Sequence, residues 1–257
     1  MPHQPDDRRE SGSPILTRLQ PWAASDVDAT RLAERLGTLV ELILEANRRM
    51  NLTSDRAPPL FWSRHVEDAL AAAAAIEGTI GRPDASMRVL DVGSGAGVPG
   101  LIWAILWPDT RMVLLDSRQK KARFLESAAR ELGLPRVETI AGRAETYGRH
   151  PDHREQYDLV AARALAPMPT LVELTLPFVR VGGVAAAIKS ADSEAEIEAA
   201  RRAIARLGGG ENPPRRLDYR RADGQTCAVW LVSKRSPTPP QFPRRPGLPR
   251  GRPLSAA

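Results

Sequence analysis

Val89-Leu90-Asp91-Val92-Gly93-Ser94-Gly95-Ala96-Gly97-Val98-Pro99-Gly100 is an apolar run that passes directly into glycines and then into a helical pattern. A buried strand, a tight turn and a helix are what such a passage builds. Glycines there let the backbone turn sharply and approach a ligand where a Cβ would collide. In an open α/β sheet this turn lies at the carboxyl edge of the strands, where ligands bind.

Outward from the loop the pattern alternates. Strands are expected over residues 88–92, 112–116, 137–141, 158–162 and 184–188, with helices over 98–107, 119–132, 168–176 and 193–207. Strands separated by helices argue for right-handed crossovers and a parallel sheet covered on both faces. Two more strands, 215–219 and 226–233, follow with only an Asp223-Gly224 turn between them. The expected fold class is α/β, a mostly parallel seven-stranded sheet with a terminal antiparallel hairpin. That is the Rossmann-like class I methyltransferase arrangement, not a pure dinucleotide-binding one.

Ahead of the first strand, Leu32, Leu36, Leu39, Val40, Ile43 and Leu44 recur at three- and four-residue spacing, an amphipathic helix over 28–49; a second helix is expected over about 59–76. The division reads as a flexible N-terminus (1–25), an N-terminal helical extension (26–80), the main domain (86–233) and a basic Pro-rich tail (234–257). Prolines at 237, 239, 240, 243, 246, 249 and 253 argue against helix or central strand in that tail.

Bulk properties narrow the class. A length of 257 residues suits one α/β domain, and no stretch approaches the roughly 20 apolar residues of a membrane helix. The first residues lack a secretory pattern, and the single Cys227 excludes an internal disulfide or a cysteine-cluster zinc site. A cytoplasmic, monomeric chain without membrane or metal is expected. The net charge of +6 equals the six basic residues of the tail (Lys234, Arg235, Arg244, Arg245, Arg250, Arg252), which has no acidic residue. A polyanion partner or a solubilising end both fit such a tail.

Two cofactors compete for the glycine loop. Gly95-Ala-Gly-Val-Pro-Gly100 formally satisfies the dinucleotide pattern G-x-G-x-x-G. S-adenosylmethionine is favoured by Asp91 at the strand end, placed to hold the ligand's amino-acid end through water or backbone. Pro99 points the same way, removing an N–H that a pyrophosphate would use, as does the terminal hairpin. Asp116 at the end of the second strand suits ribose hydroxyls in either case. Ala144-Glu145 either frame an adenine or form an ordinary loop. Arg163, the best catalytic candidate, and Lys189 end the fourth and fifth strands, facing the cleft or capping a surface.

The acceptor is narrowed by absence. The Asn/Asp-Pro-Pro-aromatic motif of amine methylation is missing after the fourth strand, and Asn212-Pro213-Pro214-Arg215 lies before the hairpin without the aromatic. Cys227 sits in a buried-strand pattern, where a core thiol fits better than the nucleophile of pyrimidine C5 methylation. Guanine N7, which carries a lone pair and no proton, needs only positioning.

These residues resemble the bacterial 16S rRNA guanine-N7 methyltransferases, also called the glucose-inhibited division protein B family, over about residues 30–250. The matches, in order, are Asn51-Leu52-Thr53, Arg64-His65-Val66-Glu67-Asp68-Ala69-Leu70, Asp91 to Gly100, Leu114 to Lys121 with Phe124-Leu125, Ala161-Ala162-Arg163-Ala164, Ala187-Ile188-Lys189 and Phe242 to Leu254. Ser94, Ala96 and Arg118-Gln119 depart from the usual residues without removing a ligand group. The resemblance implies cofactor contacts at Gly93, Val98, Ala144, Glu145 and Arg163, S-adenosylmethionine as cofactor, and one guanine of small-subunit rRNA as substrate. Lys120, Lys121 and Arg123 could grip rRNA phosphates or form a solvated helix face. Asn51, His65 and Asp68 could link the extension to the main domain or line the RNA entrance. A small-molecule methyltransferase, a nucleotide-linked oxidoreductase and a non-enzymatic assembly factor are the competing readings.

Overall fold

The computed structural model describes residues 14–210, 213–221 and 223–254. Its elements run α1 (Pro14–Leu19), α2 (Asp26–Met50), α3 (Pro58–Phe61), a π turn (Trp62–Val66), α4 (Glu67–Ile80), β1 (Arg88–Val92), α5 (Gly100–Leu106), β2 (Arg111–Asp116), α6 (Gln119–Glu131), β3 (Val137–Ala141), α7 (Ala144–Tyr147), β4 (Tyr157–Arg163), α8 (Met168–Thr175), β5 (Val179–Ser190), α9 (Glu194–Arg206), β6 (Arg215–Arg220), β7 (Thr226–Ser233) and α10 (Leu248–Gly251). The sheet order is β3-β2-β1-β4-β5-β7-β6. Strands β1 to β5 pair in parallel, while β7 runs antiparallel to both β5 and β6. The expected seven-stranded sheet with a terminal hairpin is present.

Alternation along the strands sorts side chains to two faces. Val89, Met112, Leu114, Leu159, Ala161, Val229 and Leu231 face one core, with the buried stripe Leu36, Leu39, Val40 and Ile43 of α2 and the apolar faces of α4 and α5. Leu90, Val92, Val113, Leu115, Val160 and Trp230 face the other, against α8 and α9. The helical extension therefore completes the first face of the sheet. Its long helix begins at Ser25, whose hydroxyl accepts from Asp28 N (3.2 Å), and ends at Asn51 in a left-handed conformation (φ 50°), which Asn tolerates. Among the described residues no helix is long and apolar enough to cross a membrane.

Two expectations need correction. The frayed start expected over 1–25 gives way at Pro14 to α1, with Leu19 fully buried and Trp22 Nε1 donating to Glu77 Oε1 (2.6 Å); residues 1–13 lie outside the described part. Polar composition hid two apolar anchors at its end.

The tail, expected to carry no helix and read as either a polyanion-binding or a solubilising end, is a strap across the second core and includes α10. Pro249 in the first turn of α10 costs no hydrogen bond, because those N–H groups have no intrahelical acceptor. Lys234 is fully buried; its Nζ donates to Leu176 O (2.8 Å) and Thr238 Oγ1 and lies 3.3 Å from Glu155 Oε1. Burial pushes its pKa down to about 8. Phe242 is 2% exposed, and Arg244 makes a bidentate pair with Glu173, itself fully buried. Two of the six tail cations are thus consumed by internal carboxylates.

Candidate active site

The chain leaves β1 for β2 and β3 on one side and returns to β4 on the other, so the strand order switches direction beside β1. Crevices form at such switch points. A cavity of about 720 Å³ opens there, walled by Gly93, Gly95, Asp116, Ala144, Glu145, Ala164 and others.

Each wall has a local cause. Gly93 adopts φ +79°, which side chains rarely occupy, and its N–H donates to Leu115 O (2.7 Å). Asp116, nearly buried at the end of β2, accepts from Gly95 N through Oδ2 (3.0 Å) and from Arg118 N through Oδ1 (2.8 Å). That carboxylate pins the glycine loop to β2 and still has lone pairs for a diol at the cavity wall. Glu145, in the first turn of α7, is 5% exposed and accepts from Gly247 N (2.8 Å). The C-terminal strap thus reaches the cavity, where Arg250 also lines it and donates to Leu165 O (3.0 Å).

Asp91 lies beneath the loop rather than on the cavity wall. Its Oδ2 accepts from Gly100 N (3.1 Å) at the start of α5, and burial pushes its pKa up to about 7. Folding therefore favours the neutral acid, and this contribution to stability is complete below about pH 4 and is lost as pH rises through 7. Asp91→Asn keeps an acceptor for Gly100 N without an ionisable group. Relative to wild type, its unfolding free energy should gain a few kcal/mol between pH 4 and pH 8, measured by urea denaturation. A pH-independent difference would mean that this carboxyl is ionised throughout.

Gly93, Asp116, Ala144 and Glu145 come together at the cavity. Val98 and Arg163 are not among its lining residues. Val98 packs into the first core. Arg163 turns toward the extension: Nε pairs with Asp68 Oδ2 (2.8 Å), one terminal nitrogen donates to Arg64 O (2.9 Å), and the other meets His65 Nδ1 (3.0 Å). Because a guanidinium only donates, His65 Nδ1 accepts, which places the ring proton on Nε2, 2.9 Å from Asp55 Oδ2. Burial and the neighbouring Arg163 push the pKa of His65 down. With its lone pair already engaged, His65 links the extension to the main domain and is not poised as a base. Asp68 completes the network by accepting from the Tyr219 hydroxyl (2.8 Å).

Asp68→Ala should therefore remove the carboxylate that Arg163 and Tyr219 share, leaving the Tyr219 hydroxyl without that acceptor and Arg163 without its countercharge. It is expected to cost about 3 kcal/mol of stability, read by chemical denaturation; a loss under about 0.5 kcal/mol would make the network ornamental.

Lys189 is likewise structural, donating to Ala166 O (2.8 Å) and pairing with Glu196 (2.7 Å). Cys227 is a buried free thiol. Sequence reading missed Asp55, Tyr219, Glu155 and Glu173. Asp55 sits in a loop without periodicity, and Tyr219, Glu155 and Glu173 have their partners far along the chain, so no local signal marks any of them.

Residues 32–212 match the family model described as rRNA small subunit methyltransferase G. A Ribosomal RNA small subunit methyltransferase G of Moorella thermoacetica is 46% identical, the match covering 83% of this chain and 86% of that protein. The protein of the same name from Deinococcus radiodurans is 39% identical, covering 97% and 96%. Among solved structures, a proposed O-methyltransferase of Klebsiella pneumoniae superposes with TM-score 0.51 at 18% identity, covering 85% of this chain and 99% of that one. The Methanococcus jannaschii fibrillarin pre-rRNA processing protein gives 0.50 at 16%, covering 66% and 76%. The structures support the fold alone, and the family model with the sequence relatives decides the family: this chain belongs to the rRNA small subunit methyltransferase G family.

Proposed function

We propose that this chain transfers a methyl group from S-adenosyl-L-methionine to N7 of a specific guanine in 16S rRNA of the small ribosomal subunit. The observation that carries the reading is the cavity at the switch point, bounded by bare backbone at Gly93 and Gly95 and by the carboxylate of Asp116. These residues fit such a cofactor. The glycines admit its amino-acid end, Asp116 can accept from ribose hydroxyls, and Ala144 with Glu145 border the place for adenine. Val98 and Arg163 act from behind this wall, by packing under the loop and by fixing the end of β4.

When bound, the cofactor would supply an electrophilic methyl on a sulfonium, whose transfer to an N7 lone pair would leave the S–C electron pair on sulfur and require no proton to move. The lining fits that chemistry. Its ionisable groups are Asp116, Arg118, Lys121, Arg143, Glu145 and Arg250, and both carboxylates already hold backbone N–H groups. The residues position the reactants and leave proton transfer to none of them. Incubation with labelled S-adenosylmethionine and small subunits lacking the modification should place label on one guanine N7. Intact cofactor binding without label on any subunit RNA would remove this substrate.

A further inference from the structure

The cavity wall carries four cations, Arg118, Lys121, Arg143 and Arg250, against two carboxylates, Asp116 and Glu145. Arg250 is held by Leu165 O, but the side chains of Arg118, Lys121 and Arg143 have no ion-pair or hydrogen-bond partner among the described residues. Lys121 leans over the loop, its Nζ 3.8 Å from where a Cβ on Gly95 would stand. S-adenosylmethionine carries a net positive charge, from a sulfonium and an ammonium against one carboxylate. Its carboxylate can answer one of these cations, and the others then face a cation. The countercharge missing from this wall is anionic, multivalent and next to the methyl acceptor, which describes the phosphates flanking a target nucleotide.

We infer that Arg118, Lys121, Arg143 and Arg250 form a phosphate-binding rim for the RNA strand that presents the guanine, and that RNA and the cationic cofactor bind cooperatively because phosphate neutralises a rim that otherwise repels the sulfonium. The inference rests on the function proposed above. By linkage, each ligand tightens the other by the same factor. The neutral product S-adenosylhomocysteine gains less from RNA, so phosphate at the rim favours the charged cofactor over the spent one.

The test uses the full chain, small ribosomal subunits lacking the modification, S-adenosylhomocysteine, and sinefungin, a non-transferable analogue with an ammonium in place of the sulfonium. Saturating subunits should tighten sinefungin binding by about fivefold or more and S-adenosylhomocysteine binding by clearly less. The exposed double variant R118Q/R143Q, and separately K121Q, should erase that gap. The double variant should also lower the salt slope of subunit binding by roughly 1.5, with an unchanged melting temperature showing that each variant is folded. An unchanged sinefungin-to-homocysteine ratio on adding subunits overturns the coupling, and unchanged subunit affinity and slope in both variants overturn the rim. Failure of the wild-type chain to bind subunits at all instead overturns the substrate assignment.

Discussion

A chain ending at residue 235 is expected to be largely unfolded at 37 °C, although the deleted residues 236–257 look like a dispensable basic tail. Deletion strips Phe242 from the second core, worth about 3–5 kcal/mol for a buried aromatic. It also leaves Glu173, fully buried, without the Arg244 guanidinium and backbone N–H that hold it, and breaking such a pair costs about 3–5 kcal/mol more. Further losses follow at Arg154, whose guanidinium donates to the carbonyls of Thr238, Pro239 and Phe242, and at Arg149, which donates to those of Gln241 and Pro243. These terms are not additive, but each is a large part of a total domain stability of about 5–15 kcal/mol, and they are lost together. Thermal melts and soluble yield of the truncated chain provide the check. A melting temperature within a few degrees of wild type would show that the strap contributes little. Arg244→Ala, which keeps Phe242, should show an intermediate loss. Weakened rRNA binding by the truncated chain would therefore report lost fold before it reported lost charge.

Gly93→Val should reduce S-adenosylmethionine affinity by on the order of a hundredfold, about 2.7 kcal/mol, with a smaller loss of stability. Valine is poorly suited to φ +79°, and strain at such a position is worth about 1–3 kcal/mol. A Cβ there would stand 2.6 Å from Leu165 Cδ1, a flexible tip that can give way toward the cavity and fill it. Calorimetric titration with S-adenosylhomocysteine measures the effect. Gly100→Val separates site from scaffold: its Cβ would meet Leu114 Cδ2 at 2.3 Å and Asp91 Oδ2 at 2.8 Å beneath the loop, so stability should fall most there. If Gly93→Val retained full affinity, the glycine loop would not be the cofactor wall.

Most of the sheet was legible because its signals are local. Strands β1 to β3 and the hairpin strands run within a residue or so of their expected limits; β1, β2 and β7 are apolar runs, while β3 and β6, at the two edges of the sheet, alternate with polar residues. Strand β5 extends further than expected, from Val179 to Ser190, because its Gly182-Gly183 segment pairs around a register irregularity that no apolar pattern announces. The short α7 went unread, since four residues give no helical period. In the cavity, Gly93 and Asp116 were legible because they stand at a strand's end, where the α/β topology puts ligands, whereas position left Ala144 and Glu145 open and the family resemblance singled them out.

Arg163 shows where that reasoning stops. Its place after β4 was readable, but the direction of its side chain depends on Asp68, His65 and the Arg64 carbonyl, about 95 or more residues earlier in the chain. The tail shows the same limit in charge. Composition shows six cations without a local acid, and the acids that bind two of them, Glu155 and Glu173, lie some 70–80 residues away. Periodicity and glycine placement dictated the α/β sheet, the loop and its ligand-bearing edge, because backbone preference and burial act between neighbours in sequence. Which charges face water, which face a carboxylate and which are left facing the cavity was decided only when folding joined distant segments, because an ion pair is set by distance in space and not by spacing along the chain.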